Sequence, residues 1–299
     1  MAITNATFTP DNATMLHNMK GVVPKEYGQL ILENVMENSL MMQLAKYEEM
    51  TALEKEFDVF MGGLGAYWVG EGQRIETSAP KLGRVTMKAK KLGVIIPVSR
   101  EYLHYKQSDF WNAMRPRVAE AFYKKFDAAT FLGKDSPFDW NVDKSATDRK
   151  VEGDVNLANY EAMIDKLNDG GYEPNAIVSK VANKSLLRGL VRQLNGITTQ
   201  VYDGNSLDGV PVFNLQKDLE MNKGTLYAGD FNYAYYGIPY GINYMLSEEA
   251  QISTLKDKEG NPLNLFEREM VALRATMDVA FMIVKDEAFA CLKAPVVGG

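Results

Sequence analysis

Residues 62–99 read GGLGAYWVGEGQRIETSAPKLGRVTMKAKKLGVIIPVS, and this stretch decides the fold. Its two ends, around Ala66–Val69 and Arg84–Val98, are β-compatible, and its centre at Gly70–Gly83 is polar and rich in turn residues. The pattern predicts a long hairpin over 62–98 whose glycines permit bends or bulges. Such a hairpin has too little sequence to build a core of its own, so it must lie on something else. Between Lys81 and Arg100 stand six basic residues, Lys81, Arg84, Lys88, Lys90, Lys91 and Arg100, and no acidic one. They form either a solvated ribbon face or a surface that meets an acidic partner.

Upstream, residues 1–25 are rich in Asn, Thr and Ala and read as an irregular arm that needs another surface to hold it. From Tyr27 to Ala45 the apolar positions fit a helix loosened near Asn38-Ser39. Leu53, Phe57, Val59 and Met61 then alternate as in a strand. Downstream, Ser108 to Gly133 reads as one helix, capped by Ser108 and stopped by Gly133, with Pro116 as a local inconsistency. At 1.5 Å per residue it would run roughly 38 Å.

After a polar link at Asp135–Gly153 the pattern becomes mixed α/β. Helices are expected at Leu157–Leu167 and near Asn183–Leu194, and short strands at Ala176–Ser179, Val210–Phe213, Thr225–Ala228 and Tyr233–Ile238. Tyr227, Tyr233, Tyr235, Tyr236, Tyr240 and Tyr244 form an aromatic run. Few basic residues accompany it, so a half-buried sheet is favoured over a base-stacking platform. The tail from Ile252 to Leu292 carries a largely period-two apolar set, with enough apolar residues on the alternate face to extend burial to both.

The 299 residues carry 46% hydrophobic and 24% charged side chains, which excludes a disordered or fibrous chain. A formal charge of −6 argues against nonspecific coating of nucleic acid by the whole surface. A single cysteine, Cys291, excludes a disulfide scaffold and a cysteine-rich zinc site. No apolar run approaches the ~20 residues that cross a bilayer, so no membrane partner is expected. The opening MAITNATFTPDNATMLH lacks the charged and apolar regions of a secretory leader, and an intracellular chain is expected.

Searches for chemistry fail. The two histidines, His17 and His104, stand in unrelated contexts and neither begins an HExxH pattern. GNSLD at 204–208 imitates a nucleophile elbow but has Asp208 where glycine is required, within a loop that leads to a strand. Around Gly133-Lys134 a phosphate loop would need glycine and Ser/Thr where Ala128 and Asp135 stand. Glu48-Glu49 and Glu248-Glu249 read as solvated charge, and Cys291 as a residue packed in or beside the final strand. We therefore expect no catalytic residue, metal or cofactor, and not an enzyme.

The order of elements resembles the major capsid proteins of tailed bacteriophages with the Hong Kong 97-type fold. The resemblance covers about Val22–Lys293 and is strongest in TALEKEFDVFMGGLGAYWVGEGQRIETSAPKLGRVTMKAKKLGVIIPVSREYL at 51–103, LYAGDFNYAYYGI at 226–238 and FEREMVALRATMDVAFMIVKDEAFACLK at 266–293. It implies an α+β fold: an N-terminal arm (1–27), the first part of a peripheral domain (28–61), an extended hairpin called the E-loop (62–98), a spine helix with more of the peripheral domain (99–134), a mixed α/β axial domain (135–250) and returning peripheral strands (251–299).

The implied function is tiling. Many copies would assemble through pentamers and hexamers into an icosahedral shell around double-stranded DNA, read without sequence specificity, in the virion and assembled in the bacterial host cytoplasm. The implied partner is a portal protein, with a separate scaffolding protein, a maturation protease and a cement protein left open. On the hairpin side the assembly candidates are Trp68, Arg74, Lys81, Arg84, Lys88, Lys90 and Lys91, and on the neighbour's acidic side Glu26, Glu33 and Glu37. No reactive lysine and asparagine pair aligns with the covalent cross-link of some relatives, so noncovalent assembly is expected. An encapsulin-like shell around protein cargo and, more distantly, a soluble α/β enzyme are the alternatives.

Overall fold

The structure is a computed structural model and describes residues 25–60, 69, 74, 82–101, 107–256, 260 and 262–295. It opens with helix α1 (Lys25–Asn38) and the short helix α2 (Leu40–Leu44). The expected loosening at Asn38-Ser39 is a break between two helices. Ser39 leaves the helical region (φ −74°, ψ 122°) and its Oγ accepts from Met42 N–H, so the serine ends one helix by capping the next.

Strands β1 (Lys46–Tyr47), β2 (Glu54–Phe60) and β3 (Leu82–Ser99) follow. β2 pairs antiparallel with β3, from Glu54 opposite Lys88 to Phe60 opposite Leu82. The hairpin base thus lies upstream of the expected first arm. Ala66–Trp68, Lys81 and the rest of 61–81, apart from Val69 and the exposed Arg74, lie outside the described residues. Helix α3 (Gln107–Leu132) runs unbroken through Pro116, which sits on an exposed side while Val118, Ala119, Phe122 and Phe126 are buried.

The central module contains α4 (Val142–Ser145), β4 (Lys150–Glu152), α5 (Leu157–Asn168), β5 (Ala176–Lys180), α6 (Lys184–Leu187), β6 (Val191–Leu194), β7 (Ile197–Gln200), β8 (Ser206–Leu207), β9 (Val210–Leu215), β10 (Leu226–Gly229), β11 (Ala234–Gly237) and β12 (Asn243–Ser247). The expected helix near 183–194 is only one turn long. The chain instead forms the β6–β7 hairpin, because Asn195 (φ 53°) and Gly196 (φ 77°) take the left-handed conformations of a tight two-residue turn. The chain closes with β13 (Gln251–Lys256), β14 (Pro262–Asn264), β15 (Met270–Ile283) and β16 (Phe289–Lys293).

Two compact units emerge. The first comprises the described parts of 1–35, 93–121 and 241–277. In it β12 pairs with β15, Asn243 opposite Thr276, and Val271 and Leu273 pack with Ile96, Val98, Met114, Tyr244 and Leu246. The β13–β14 hairpin adds Ile252 and Leu265 against Ala272.

The second unit comprises the described parts of 36–92, 122–240 and 278–299. One core lies under the sheet ordered β4-β16-β10-β5-β9-β8, where Tyr160, Met163 and Leu167 of α5 meet Ile177, Leu187, Leu226 and Leu292. β16 sits inside that sheet, between β4 and β10, whereas β15 belongs to the sheet ordered β1-β11-β15-β3-β2 and β13 pairs, among the described residues, only with β14. Its FACL residues are all buried, which suits a strand covered on both faces. A second cluster joins Met50, Met87, Ala280 and Met282 in the sheet ordered β1-β11-β15-β3-β2. β15 is buried along nearly its whole length, as its two-faced apolar pattern predicts.

Candidate functional site

The basic row of β3 lies against an acidic row on β2. Residues 84, 86, 88 and 90 share one face of the strand, and Glu54, Glu56 and Asp58 share the matching face of β2. Lys88 Nζ lies 3.4 Å from Glu54 Oε1, and Arg84 lies 3.3 Å from Asp58 and 3.8 Å from Glu56. All five side chains are more than half exposed, so each pair contributes at most about 1 kcal/mol. These pairs set the register of the hairpin base more than they stabilise it.

Two candidate residues therefore have partners in their own chain. Lys90 and Lys91 are exposed and form no ion pair among the described residues. Arg100 pairs with Glu248 at 3.3 Å. Glu33 and Glu37 are exposed on α1 and take no part in the β2–β3 pairs. Glu26 belongs to α1, but its side chain, like Trp68 and Lys81, lies outside the described residues. The β2 acids were within reach of sequence reasoning: TALEKEFDVF places Glu54, Glu56 and Asp58 at period two, and aligning it against GRVTMK brings opposite charges together.

The residues that imitated catalytic motifs have structural roles. Ser206 Oγ donates to Asp203 Oδ2 at 2.7 Å, while Asp203 also accepts from the N–H groups of Asn205 and Ser206. These bonds hold the Asp203 carboxyl well down, at about 2, and they describe a turn. Cys291 is fully buried in β16, where burial pushes its thiol up to about 11. Among the described residues no three His, Cys, Asp or Glu side chains converge as a metal site, and no helix is long and apolar enough to cross a membrane. His17 and His104 lie outside the described residues.

Comparison with known proteins identifies the family. The model of the phage capsid family matches residues 20–294. The chain belongs to that family. It is 47% identical over 293 residues to the major capsid protein of Staphylococcus phage 80alpha, covering 95% of this chain and 89% of that one. The probable major capsid protein gp17 of Mycobacterium phage D29 is 22% identical, over 100% of this chain and 97% of its own.

Solved structures agree on the fold. A chain from Microbacterium phage Oxtober96 matches with a TM-score of 0.70 at 21% identity, over 86% of this chain and 91% of that one. One from Mycobacterium phage Cain matches at 0.68 and 18%, over 96% and 100%. The capsid of a native GTA particle matches at 0.63 and 17%, over 86% and 90%. The mixed α/β architecture of this family member is of the Hong Kong 97 type.

Proposed function

We infer that the chain is the major capsid protein of a tailed phage, whose copies assemble into an icosahedral shell that encloses double-stranded DNA. The observation that carries this is the family match across 20–294, together with 47% identity to a major capsid protein over nearly the whole chain. A shell protein works through repeated interfaces, which offset the ordering entropy of elements that have no core of their own.

The finer reading follows the same logic. Copies group as pentamers and hexamers, the 135–250 module clusters at the symmetry axes, and the 62–98 hairpin reaches from its β2–β3 base over a neighbour. Trp68, Arg74, Lys81 and Lys91 form the hairpin side of that contact, and Glu26, Glu33 and Glu37 are its acidic counterpart. A portal protein completes the assembly, and a separate scaffolding protein, a protease and a cement protein fit the same scheme. The net acidic chain favours confinement of DNA with counterion screening over tight adhesion to it.

Cryo-electron microscopy of particles from the native source tests the reading. A closed icosahedral shell of this chain filled with DNA is the expected result. A shell holding only a cargo enzyme, or a small oligomer with a substrate-filled cleft, would overturn it.

A further inference from the structure

We propose that Phe266 of one copy seats in a cavity bounded by Lys90, Phe138, Trp140 and Phe281 of a second copy, with Glu267 of the first copy beside Lys90 of the second. The contact rests on the shell reading, which supplies the second copy.

Phe266 has 75% of its surface exposed, more than any other large apolar side chain among the described residues. A single exposed apolar residue is ordinary. This one is held out on a turn fixed at both ends. Phe266 N–H donates to Asn264 Oδ1 at 3.2 Å, and Leu265, fully buried, donates its N–H to Ala250 O and accepts from Met270 N–H at 3.0 Å. Glu269 then turns the chain back in the left-handed region at φ 48°. A phenylalanine already ordered in this way loses little further freedom on docking. Glu267 and Glu269 flank Arg268 on the same exposed turn, so the knob carries a net negative charge.

The cavity measures about 330 Å³ and lies between β3 and the 137–140 segment. Its floor is aromatic: Phe138 and Phe281 meet with ring centroids 6.0 Å apart at 66°, and Trp140 lies beside them. Another ring entering edge-on continues that packing. Its rim is mainly cationic, with Asp139 as the acid among the lining residues. Arg84 and Lys88 already face β2 acids, whereas Lys90, next in the same row, has no ion partner among the described residues. An acid-flanked phenylalanine therefore matches the cavity in both apolar and charged character. The knob and the cavity are built from different residues, so each copy can give one knob and receive one.

The test uses the full-length chain expressed with the other head proteins of its phage, with particles counted by electron microscopy. Phe266→Ala is expected to cut particle yield about tenfold or more, the effect of losing one buried aromatic anchor, while the dispersed protomer keeps its circular dichroism. Lys90→Glu and Glu267→Lys are each expected to lower the yield, and the two together to restore it to within about threefold of wild type. Copies carrying Lys90→Cys co-assembled with copies carrying Glu267→Cys should give a dimer with a short bismaleimide, against a background set by the buried Cys291. Wild-type yield from Phe266→Ala, a double charge swap no better than its singles, or particles that give no cross-linked dimer would each overturn the contact while leaving the shell reading intact. Failure of the wild-type chain to form shells overturns both.

Discussion

Ser39 donates its hydroxyl to Asp127 Oδ1 across 2.7 Å, tying the break between α1 and α2 to a residue 88 positions later in α3. The carboxylate also accepts from Leu40 N–H at 3.0 Å and Met41 N–H at 3.2 Å, so it caps the amino end of α2 from outside that helix. Asp127 is fully buried and no cation contacts it among these partners. Burial outweighs the three hydrogen bonds and pushes its carboxyl up from 3.8 to about 6.

The sign of the resulting pH dependence follows from linkage. The folded chain holds this proton more tightly than the unfolded chain, so the site contributes stability below about pH 3.8 that is lost as pH rises through about 6. A shift of that size corresponds to roughly 3 kcal/mol. Urea unfolding of the dispersed protomer from pH 4 to 7.5 should show the wild type losing about that much relative to Asp127→Asn, whatever the constant offset between them. Parallel pH profiles would show that burial does not govern this carboxyl.

Gly237 and Gly93 should respond differently to alanine. A Cβ on Gly237 would lie 2.8 Å from the backbone oxygen of Glu48 and 2.6 Å from Met50 Sδ, and the β1–β11 pairing holds that backbone in place. Gly237→Ala is expected to destabilise the protomer by about 1–3 kcal/mol. A Cβ on Gly93 would meet the methyl group of Thr276 at 3.3 Å, which can yield. Gly93→Ala should therefore fall within about 1 kcal/mol of wild type. Equal losses in the denaturation midpoints would contradict the packing difference.

The Cys291 thiol should be silent in the native protein. It is fully buried, and with its acidity lowered to about 11 almost none of it is thiolate at pH 8. Labelling by a thiol-disulfide reagent is expected only at the rate of unfolding, rising with urea in step with the loss of circular dichroism. Rapid labelling without denaturant would show that β16 opens locally.

Periodicity made the long elements legible. α3 and α5 stand within a residue or two of their expected bounds because each carries its pattern through several turns, and β15 falls within the period-two tail. Short elements depend on single turn residues and were harder. The Asn195-Gly196 signal for the β6–β7 hairpin stands just past the helix expected near 183–194, and that helical reading took in β6. The position of β16 in the central sheet was not legible, because FACLK is equally apolar wherever it pairs. Asp127 carries no mark of its own in the sequence; its role depends on Ser39, and one sequence carries no sign of that pairing. The candidate basic residues were visible as a run, but which of them face β2 depends on strand register.

That register yields a prediction separating protomer from assembly. Arg84→Glu puts a carboxylate opposite Asp58 and near Glu56, and like charges facing across strands are destabilising. The expected loss is about 1 kcal/mol at low salt, shrinking at high salt because these groups are largely exposed. Pairing the change with Asp58→Arg should recover most of it. Lys91 stands on the opposite row of β3 with no ion partner among the described residues, and Lys91→Glu should leave protomer stability within about 0.5 kcal/mol of wild type. Urea unfolding at two salt concentrations measures all of these. If Arg84→Glu and Lys91→Glu cost the same, the β2–β3 pairs contribute nothing to the protomer, and the whole basic row is then available to a neighbour. If they differ as expected, salt sensitivity of the protomer reports on Arg84 and Lys88, and salt sensitivity of assembly reports on the lysines that follow them.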